Sequence, residues 1–559
     1  MCGAGEESKA QVVDIEQLIA PGEVHAEPLL ESVLYLSRPN EFAESALDMP
    51  WAEGRDFMVG RAAARRGAET VGRLVTSAKS WLSYTAADRS APILPPNAPE
   101  GFAKVSPVEA SRRYLEHLRD AWNQAHPEEL LEEQAVVLTV PASFDAVARE
   151  LTERAAEQAG LKKLTLLEEP QAALYAWIER HDDWRERVKP GDLILVIDVG
   201  GGTTDLTLIA VSERNGSLEL ERVAVGEHLL LGGDNMDLAL AHSLTPKLPK
   251  LDALQFHALW QQCRLAKEQL LSDGKAKDAP VTILGRGSSV IGGTIKAKLS
   301  RADVETLLVN GFFPKVASDD LPASRRRSGL LEVGLPYETD PAITKHLARF
   351  LRQGGTLAQP THILFNGGVF KAAHLRGRVV EVLNGWLSQP VKQLEGEDLM
   401  HAVARGAAYY NRAREGKGIR IRGGLARTYY VGIESAMPAV PGLPAPLKAL
   451  SVAPFGLEEG TGTPVPSSEF GLIVGEPAEF RFFVSATRKQ DAPGTMIDEI
   501  LEELEELAPV QVTLSGDAGA LVRVHLETQL TETGLLQLWC VARDGRRWKL
   551  EFQTRGTKA

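Results

Sequence analysis

Between about residues 131 and 211 apolar runs and amphipathic stretches follow one another in a regular order. "AVVLTV" (135–140) has the continuous apolar character of a buried strand, and Pro141 ends it. "DAVARELTERAAEQAGL" then carries Ala and Leu at helical spacing as far as Gly160. "KLTLLEEP" predicts a return strand running up to Glu169 and Pro170, "QAALYAWIE" a second helix, and "LILVIDVGGGTTDLTLIAV" (193–211) two strands joined by a glycine turn. A helix-rich stretch over about 235–272 precedes strands near 281–297. "THILFNGGVFKAAHLRGRVVEVL" again reads strand, Gly-Gly turn, helix, and "DLMHAVARGAAYYNRA" is helical to about 413. Such alternation predicts an α/β domain.

After residue 413 the texture changes. "REGKGIRIRGG" (414–424) is basic and glycine-rich, as a linker would be, and short alternating segments follow: "TYYVGIE", "PAEFRFFVS", "PVQVTL" and "LLQLWCV". They predict a β-sandwich. "MIDEILEELEEL" (496–507) breaks the pattern, because its Ile and Leu recur at three-to-four spacing and predict an acidic helix with one packed face. No short-period repeat is present.

Composition narrows the function classes. With 559 residues, 44% of them hydrophobic and 25% charged, the chain has material for several domains with their own cores. A formal charge of -13 argues against a broad nucleic-acid footprint, despite the local run Arg325 to Arg327. Cys2, Cys263 and Cys540 are few, odd in number and far apart, which fits a reducing compartment such as the cytoplasm rather than a disulfide scaffold or zinc site. No apolar run nears the roughly 20 residues of a membrane-spanning helix. The start "MCGAGEESKA" lacks the basic head and apolar stretch of a secretory signal, so no membrane attachment is expected.

The glycine turn is where chemistry enters. "GGGTT" exposes consecutive amide hydrogens and two hydroxyls, a natural anion site, while Asp198 and Asp205 set negative charge on either side. That combination makes sense if a divalent cation lies between carboxylate and phosphate. Taken alone, the turn reads equally well as a solvent-facing β-turn. There is no G-x-x-x-x-G-K-[ST] and no G-x-G-x-x-G, so neither the P-loop nor the Rossmann route is supported.

"VVLTVPASFDAVARELTERAAEQAGL", "LTLLEEPQAALYAW" and "LILVIDVGGGTTDLTL" resemble, in order and spacing, the nucleotide-binding domain of the 70-kilodalton heat-shock (DnaK-type) chaperones. "LGGDNMDLALA", "CRLAKEQLLS", "ILFNGGVFKAAHLRGRV" and "AVARGAA" continue the resemblance, which runs from about residue 12 to 413. It implies two actin-like lobes over residues 1–413 with ATP or ADP and Mg2+ in the cleft, a linker over 414–426, and over 427–559 a β-rich domain resembling a degenerate substrate-binding sandwich.

The resemblance implies catalytic roles for Lys79, Glu169, Asp198 and Thr203, with Asp198 holding Mg2+ through water. It puts Gly200, Gly201, Gly202, Thr203, Thr204, Gly232, Gly233, Lys267, Gly367, Gly368 and Lys371 at the nucleotide, and makes Pro141 and Arg149 the pair that passes nucleotide state between domains. On their own, Lys79 and Glu169 read as solvated charges, Pro141 as a strand end and Arg149 as a helix-surface residue. The chain also departs from the family. Glu268 and Leu271 replace the usual arginine and serine after Lys267, and Lys371 stands where an arginine stacks on adenine, which it does less well than a planar guanidinium.

The first phosphate hairpin, of D-x-G-T-T type, is absent before "VVDIEQLIAPGEVHAEPLLESVLYL", and only about a dozen residues follow the β-rich part where a helical lid is expected. Loss of the first strands predicts an open sheet edge in the first lobe. The expected function is an ATP-dependent chaperone that hydrolyses ATP to gate binding of unfolded polypeptide, served by a J-domain co-chaperone and a nucleotide exchange factor. A noncatalytic ATP-binding scaffold recruiting a dedicated protein partner stands beside it. A sugar kinase is disfavoured, because "VPASF" and "EEPQAA" resemble the chaperone branch.

Overall fold

The strand-helix-strand run folds as its pattern requires. Val136–Val140 pairs in parallel with Leu164–Glu168, and the connection is the helix Ala146–Gln158. Asp145 starts that helix, its carboxylate accepting the Ala148 N–H at 2.7 Å. A second helix, Glu169–Arg180, leaves the end of the return strand with Pro170 in its first turn, where a missing N–H costs nothing. The computed structural model describes residues 9–550 apart from 71, 215–216, 273–274, 286–293, 324–334, 354, 397, 415–420, 423–424, 426, 436–446, 459, 499–503, 508 and 532–535. The start "MCGAGEES", the basic run Arg325 to Arg327 and most of the linker segment lie outside the described residues.

The remaining strands of the N-terminal part form small sheets. Ile15–Ala20 and Glu23–Glu27 make an antiparallel pair, and Leu34–Leu36 lies between Phe57–Val59 and Leu74–Val75. Among the described residues, Ile15–Ala20 and Val136–Val140 each have one partner strand, so each offers an open edge.

A six-stranded sheet forms the middle of the chain. Leu193–Val199 runs antiparallel to Thr204–Arg214 on one side and parallel to His362–Asn366 on the other. Ser217–Val225 extends it beyond Thr204–Arg214. The central strand is buried from Ile194 to Ile197, as its unbroken apolar run demands. Its register sets Asp198 opposite both Asp205 and Asn366. Helices Gly233–Leu244, Ala253–Ser272, Ile343–Leu351 and Ala373–Trp386 pack their apolar residues with this sheet.

Among the described residues of 428–550 the regular elements are all strands. Thr428–Glu434, Leu447–Ala453 and Phe482–Ser485 belong to one five-stranded sheet, and Ala520–Leu530, Leu536–Ala542 and Arg547–Leu550 to another. The acidic helix expected over 496–507 is replaced by strand pairing at both described ends of that stretch: Met496–Ile497 pairs with Ala449 and Leu450, and Glu505–Glu506 with Phe483 and Val484, while residues 499–503 lie outside the described residues. Ile497, Leu504 and Leu507 do bury their side chains. Edge pairing overrides local helix propensity here, and Arg427 and Arg481 hold the carboxylates of Glu505 and Glu506 outward.

The apolar core does not stop where the β-rich part begins. One cluster runs from Val140, Phe144, Val147 and Leu151 into Tyr429, Leu450, Phe482 and Trp548. The two parts are therefore packed on each other.

Candidate nucleotide site

The polar groups of the central sheet converge because its strands end together. Asp198 is the last polar residue before the turn, and pairing places the Asn366 amide beside it, donating to its carboxylate at 2.6 Å. Such strand ends are where open α/β sheets hold ligands. The turn is closed by the Gly200 N–H on the Thr203 carbonyl at 2.9 Å. Beneath it lies the start of the helix Gly233–Leu244, whose Gly233 and Asp234 N–H groups donate to the carbonyls of Gly200 and Gly201 at 3.0 and 2.7 Å. Gly232 is needed for this contact, since a β-carbon there would sit 2.7 Å from the Gly201 carbonyl. Gly367 meets a double constraint, a φ of 88° and a β-carbon position only 2.6 Å from the Asp198 carboxylate.

Gly200, Gly201 and Gly202 differ in kind. β-Carbons built on them meet nothing nearer than 3.7 Å, and none of the three has a left-handed φ. Neither packing nor backbone conformation demands glycine at these positions. The space they leave fits a group that must reach the backbone amides, as a phosphate does.

From the N-terminal part come Lys79, on the short helix Ala78–Ser83, and Glu169, at the start of Glu169–Arg180. They form an ion pair. Desolvation works to lower the Lys79 ammonium, but the charge and hydrogen bond of Glu169, with Asp205 and Asp198 behind, prevail and raise its pKa. Asp198 is pushed up to about 7, by desolvation first and then by the negative charge of Glu169, against the hydrogen bond from Asn366. Burial would also raise Asp205, yet His228, Lys79 and Ser143 outweigh it and hold it low. The Ser143 hydroxyl donates to Asp205 at 2.8 Å and lies 3.0 Å from the His228 ring. Three carboxylates thus face one lysine, and the site is short of positive charge. The Asn366 carbonyl oxygen is buried with no hydrogen-bond partner among the described residues. Both facts fit a cation.

Asp198, Glu169, Lys79, Gly200, Gly201, Gly202, Thr203 and Gly367 come together in this way, with Gly232 and Gly233 beneath the turn. Thr204 is fully buried and commits its hydroxyl to the Leu231 carbonyl at 2.7 Å. Lys267 is held by buried Asp237 at 2.6 Å, and burial pushes that carboxyl up to about 6. Gly368 and Lys371 bound a single helical turn, and the Lys371 side chain is exposed. Among the described residues no group of three or more His, Cys, Asp or Glu side chains is set to hold a metal ion directly. Pro141 ends its strand, and Arg149 donates to Glu168 at 2.7 Å, with Arg222 on the other carboxylate oxygen. Arg149 and Glu168 line a cavity of about 180 Å³ whose wall also includes Leu425, Arg427 and Tyr429.

Residues 80–318 match the family model of the Hsp70 protein, a span that holds Glu169, Asp198, the glycine turn and Lys267. Over this span the chain is similar to the Hsp70 family. The chain is 31% identical over 269 residues to the chaperone protein HscA homolog of Bordetella pertussis, covering 46% of this chain and 40% of that one. It is 34% identical over 233 residues to the HscA homolog of Colwellia psychrerythraea (38% and 35% of the two chains). It is 36% identical over 167 residues to that of Polynucleobacter necessarius (30% and 25%). The matches span less than half the length of these relatives. No helix among the described residues is long and apolar enough to cross a membrane.

Proposed function

We propose that the chain is an ATP-binding, DnaK-like chaperone whose two-lobe, actin-like unit over residues 1–413 couples ATP hydrolysis to binding of unfolded polypeptide by the β-sandwich-like region 427–559. The observation that carries this reading is the meeting of Lys79, Glu169, Asp198 and Asp205 over three glycines whose β-carbon positions are open. Phosphoryl transfer to water asks the protein for positioning and charge neutralisation more than for a nucleophile. Gly200 to Thr203 would cradle the phosphates, and Asp198 would hold Mg2+ largely through water. Bound there, Mg2+ would neutralise charge on the phosphate oxygens.

The chain's own residues would divide the remaining work. Lys79 would exchange its contact with Glu169 for a phosphate oxygen, which frees Glu169 to orient an attacking water. Asn366 fixes the Asp198 carboxylate, and Ser143 with His228 keeps Asp205 ionised. Arg149 and Glu168, one residue before Glu169, lie against the β-rich region and would relay the state of the site to it. A J-domain co-chaperone and a nucleotide exchange factor are the expected partners.

A second reading, the noncatalytic ATP-binding scaffold, is favoured by the apolar cluster that runs unbroken from Leu151 to Trp548, because a fixed β-rich region suits display to a dedicated partner. Calorimetric titration with ATP and Mg2+, followed by single-turnover hydrolysis with and without an extended apolar peptide, separates the two. Binding with peptide-stimulated hydrolysis supports the chaperone; binding with no turnover supports the scaffold; no binding overturns both.

A further inference from the structure

Residues 335–342, which lead into the helix Ile343–Leu351, touch both sides of the proposed nucleotide site. Leu335 is partly buried against the cluster of Leu34, Val59, Val75, Ala78 and Trp81, two of which share the helix of Lys79. Three residues later the Glu338 N–H donates to the Leu230 carbonyl at 3.4 Å, in the loop that runs into Gly232 and Gly233. Asp340 fastens the segment on that side, its carboxylate accepting the N–H groups of Ala323 and Ala342 and the Lys345 ammonium, each at 3.0 Å. Between the two attachments Tyr337 is 53% exposed. Its phenol feels the charge of Asp234, whose carboxylate lies 3.7 Å from the β-carbon position of Gly201.

A chain this short has little slack, since an extended residue spans at most about 3.3–3.6 Å. Any widening of the gap between the Leu34–Trp81 cluster and the Leu230 loop must stretch the segment or pull Leu335 out of its pocket. The attachment on the Asp340 side is polar and multiple, whereas Leu335 is held by apolar contact, so Leu335 is the end that releases.

We infer that residues 335–340 form a strap across the mouth of the nucleotide site, with Leu335 as its releasable anchor, and that the strap sets the rate at which nucleoside di- or triphosphate enters and leaves. This rests on the nucleotide reading above. A strap of this kind is a gate: freeing it speeds entry and exit together and leaves the equilibrium affinity nearly unchanged. Truncating a partly buried leucine to alanine is expected to speed both about tenfold, equivalent to 1.4 kcal/mol.

The test is stopped-flow binding and chase of a fluorescent ADP analogue with Mg2+, on the full chain, for wild type, Leu335→Ala and the volume-conserving Leu335→Met. Association and release both rising about tenfold in Leu335→Ala, with Kd within twofold and Leu335→Met close to wild type, is the expected result. Unchanged rates in Leu335→Ala, or a change in Kd without a change in both rates, would overturn the gate. Hydrogen exchange without nucleotide separates the two layers of the argument. Faster exchange in residues 335–342 and 57–59 of Leu335→Ala supports the strap as a contact, and unchanged exchange overturns it. A wild-type chain that binds no analogue overturns the nucleotide reading and the gating role with it, whatever the exchange shows.

Discussion

Asp198 stands at a strand end where a neighbouring strand supplies an amide and another supplies a second carboxylate, so its proton affinity is set by register as much as by burial. Its pKa is raised from 3.8 to about 7. The folded protein therefore holds a proton that the unfolded chain releases, and this group's contribution to stability falls as pH rises from about 4 to about 7. Replacing it by an uncharged isostere should remove that dependence. Thermal scans of the ligand-free protein at pH 5 and pH 8 are expected to show Asp198→Asn melting a few degrees above wild type at pH 8 and close to it at pH 5, while hydrolysis is lost. Lys79 is the complementary case. Lys79→Ala leaves Glu169 facing Asp198 and Asp205 without a counter-charge, and single-turnover assays are expected to show hydrolysis down by at least about 100-fold with nucleotide affinity within about tenfold of wild type.

At the scale of elements, the glycine turn works because the helix Gly233–Leu244 starts directly beneath it. Gly232→Ala would force a methyl into the Gly201 carbonyl, and urea unfolding is expected to show a loss of about 1–3 kcal/mol together with weakened nucleotide binding. The strand pair and the glycine turn between its two aspartates were legible in the sequence, since two apolar runs flanking three glycines mark a hairpin, while what the turn holds was not, because the same residues read equally well as a plain β-turn. The strand before Glu169 and the helices on either side of it were legible as well. Asn366, Ser143, His228 and Arg222 were not, because each joins the site through pairing or packing across long sequence separations that local pattern does not encode. Nor was the fate of Lys267, whose charge is spent on Asp237 from a neighbouring helix. The spacing of Ile and Leu over 496–507 marked the buried residues and mistook the element, since strand edges took up what the pattern offered to a helix.

For the whole molecule, the cluster joining Phe144 and Leu151 to Tyr429 and Trp548 makes the β-rich region part of the first unit's core. A shared core predicts shared unfolding: calorimetry is expected to give one cooperative transition for the wild type, split into two by Tyr429→Ala, with the β-rich part melting first. The same cluster fixes an order of events during synthesis. Leu151 leaves the ribosome roughly 300 residues ahead of Tyr429, and at about 5–20 residues per second its apolar face waits some tens of seconds for the strands that cover it. The chain thus leaves the ribosome with a greasy surface uncovered, so its yield in the cell depends on how well other proteins shield it through that interval.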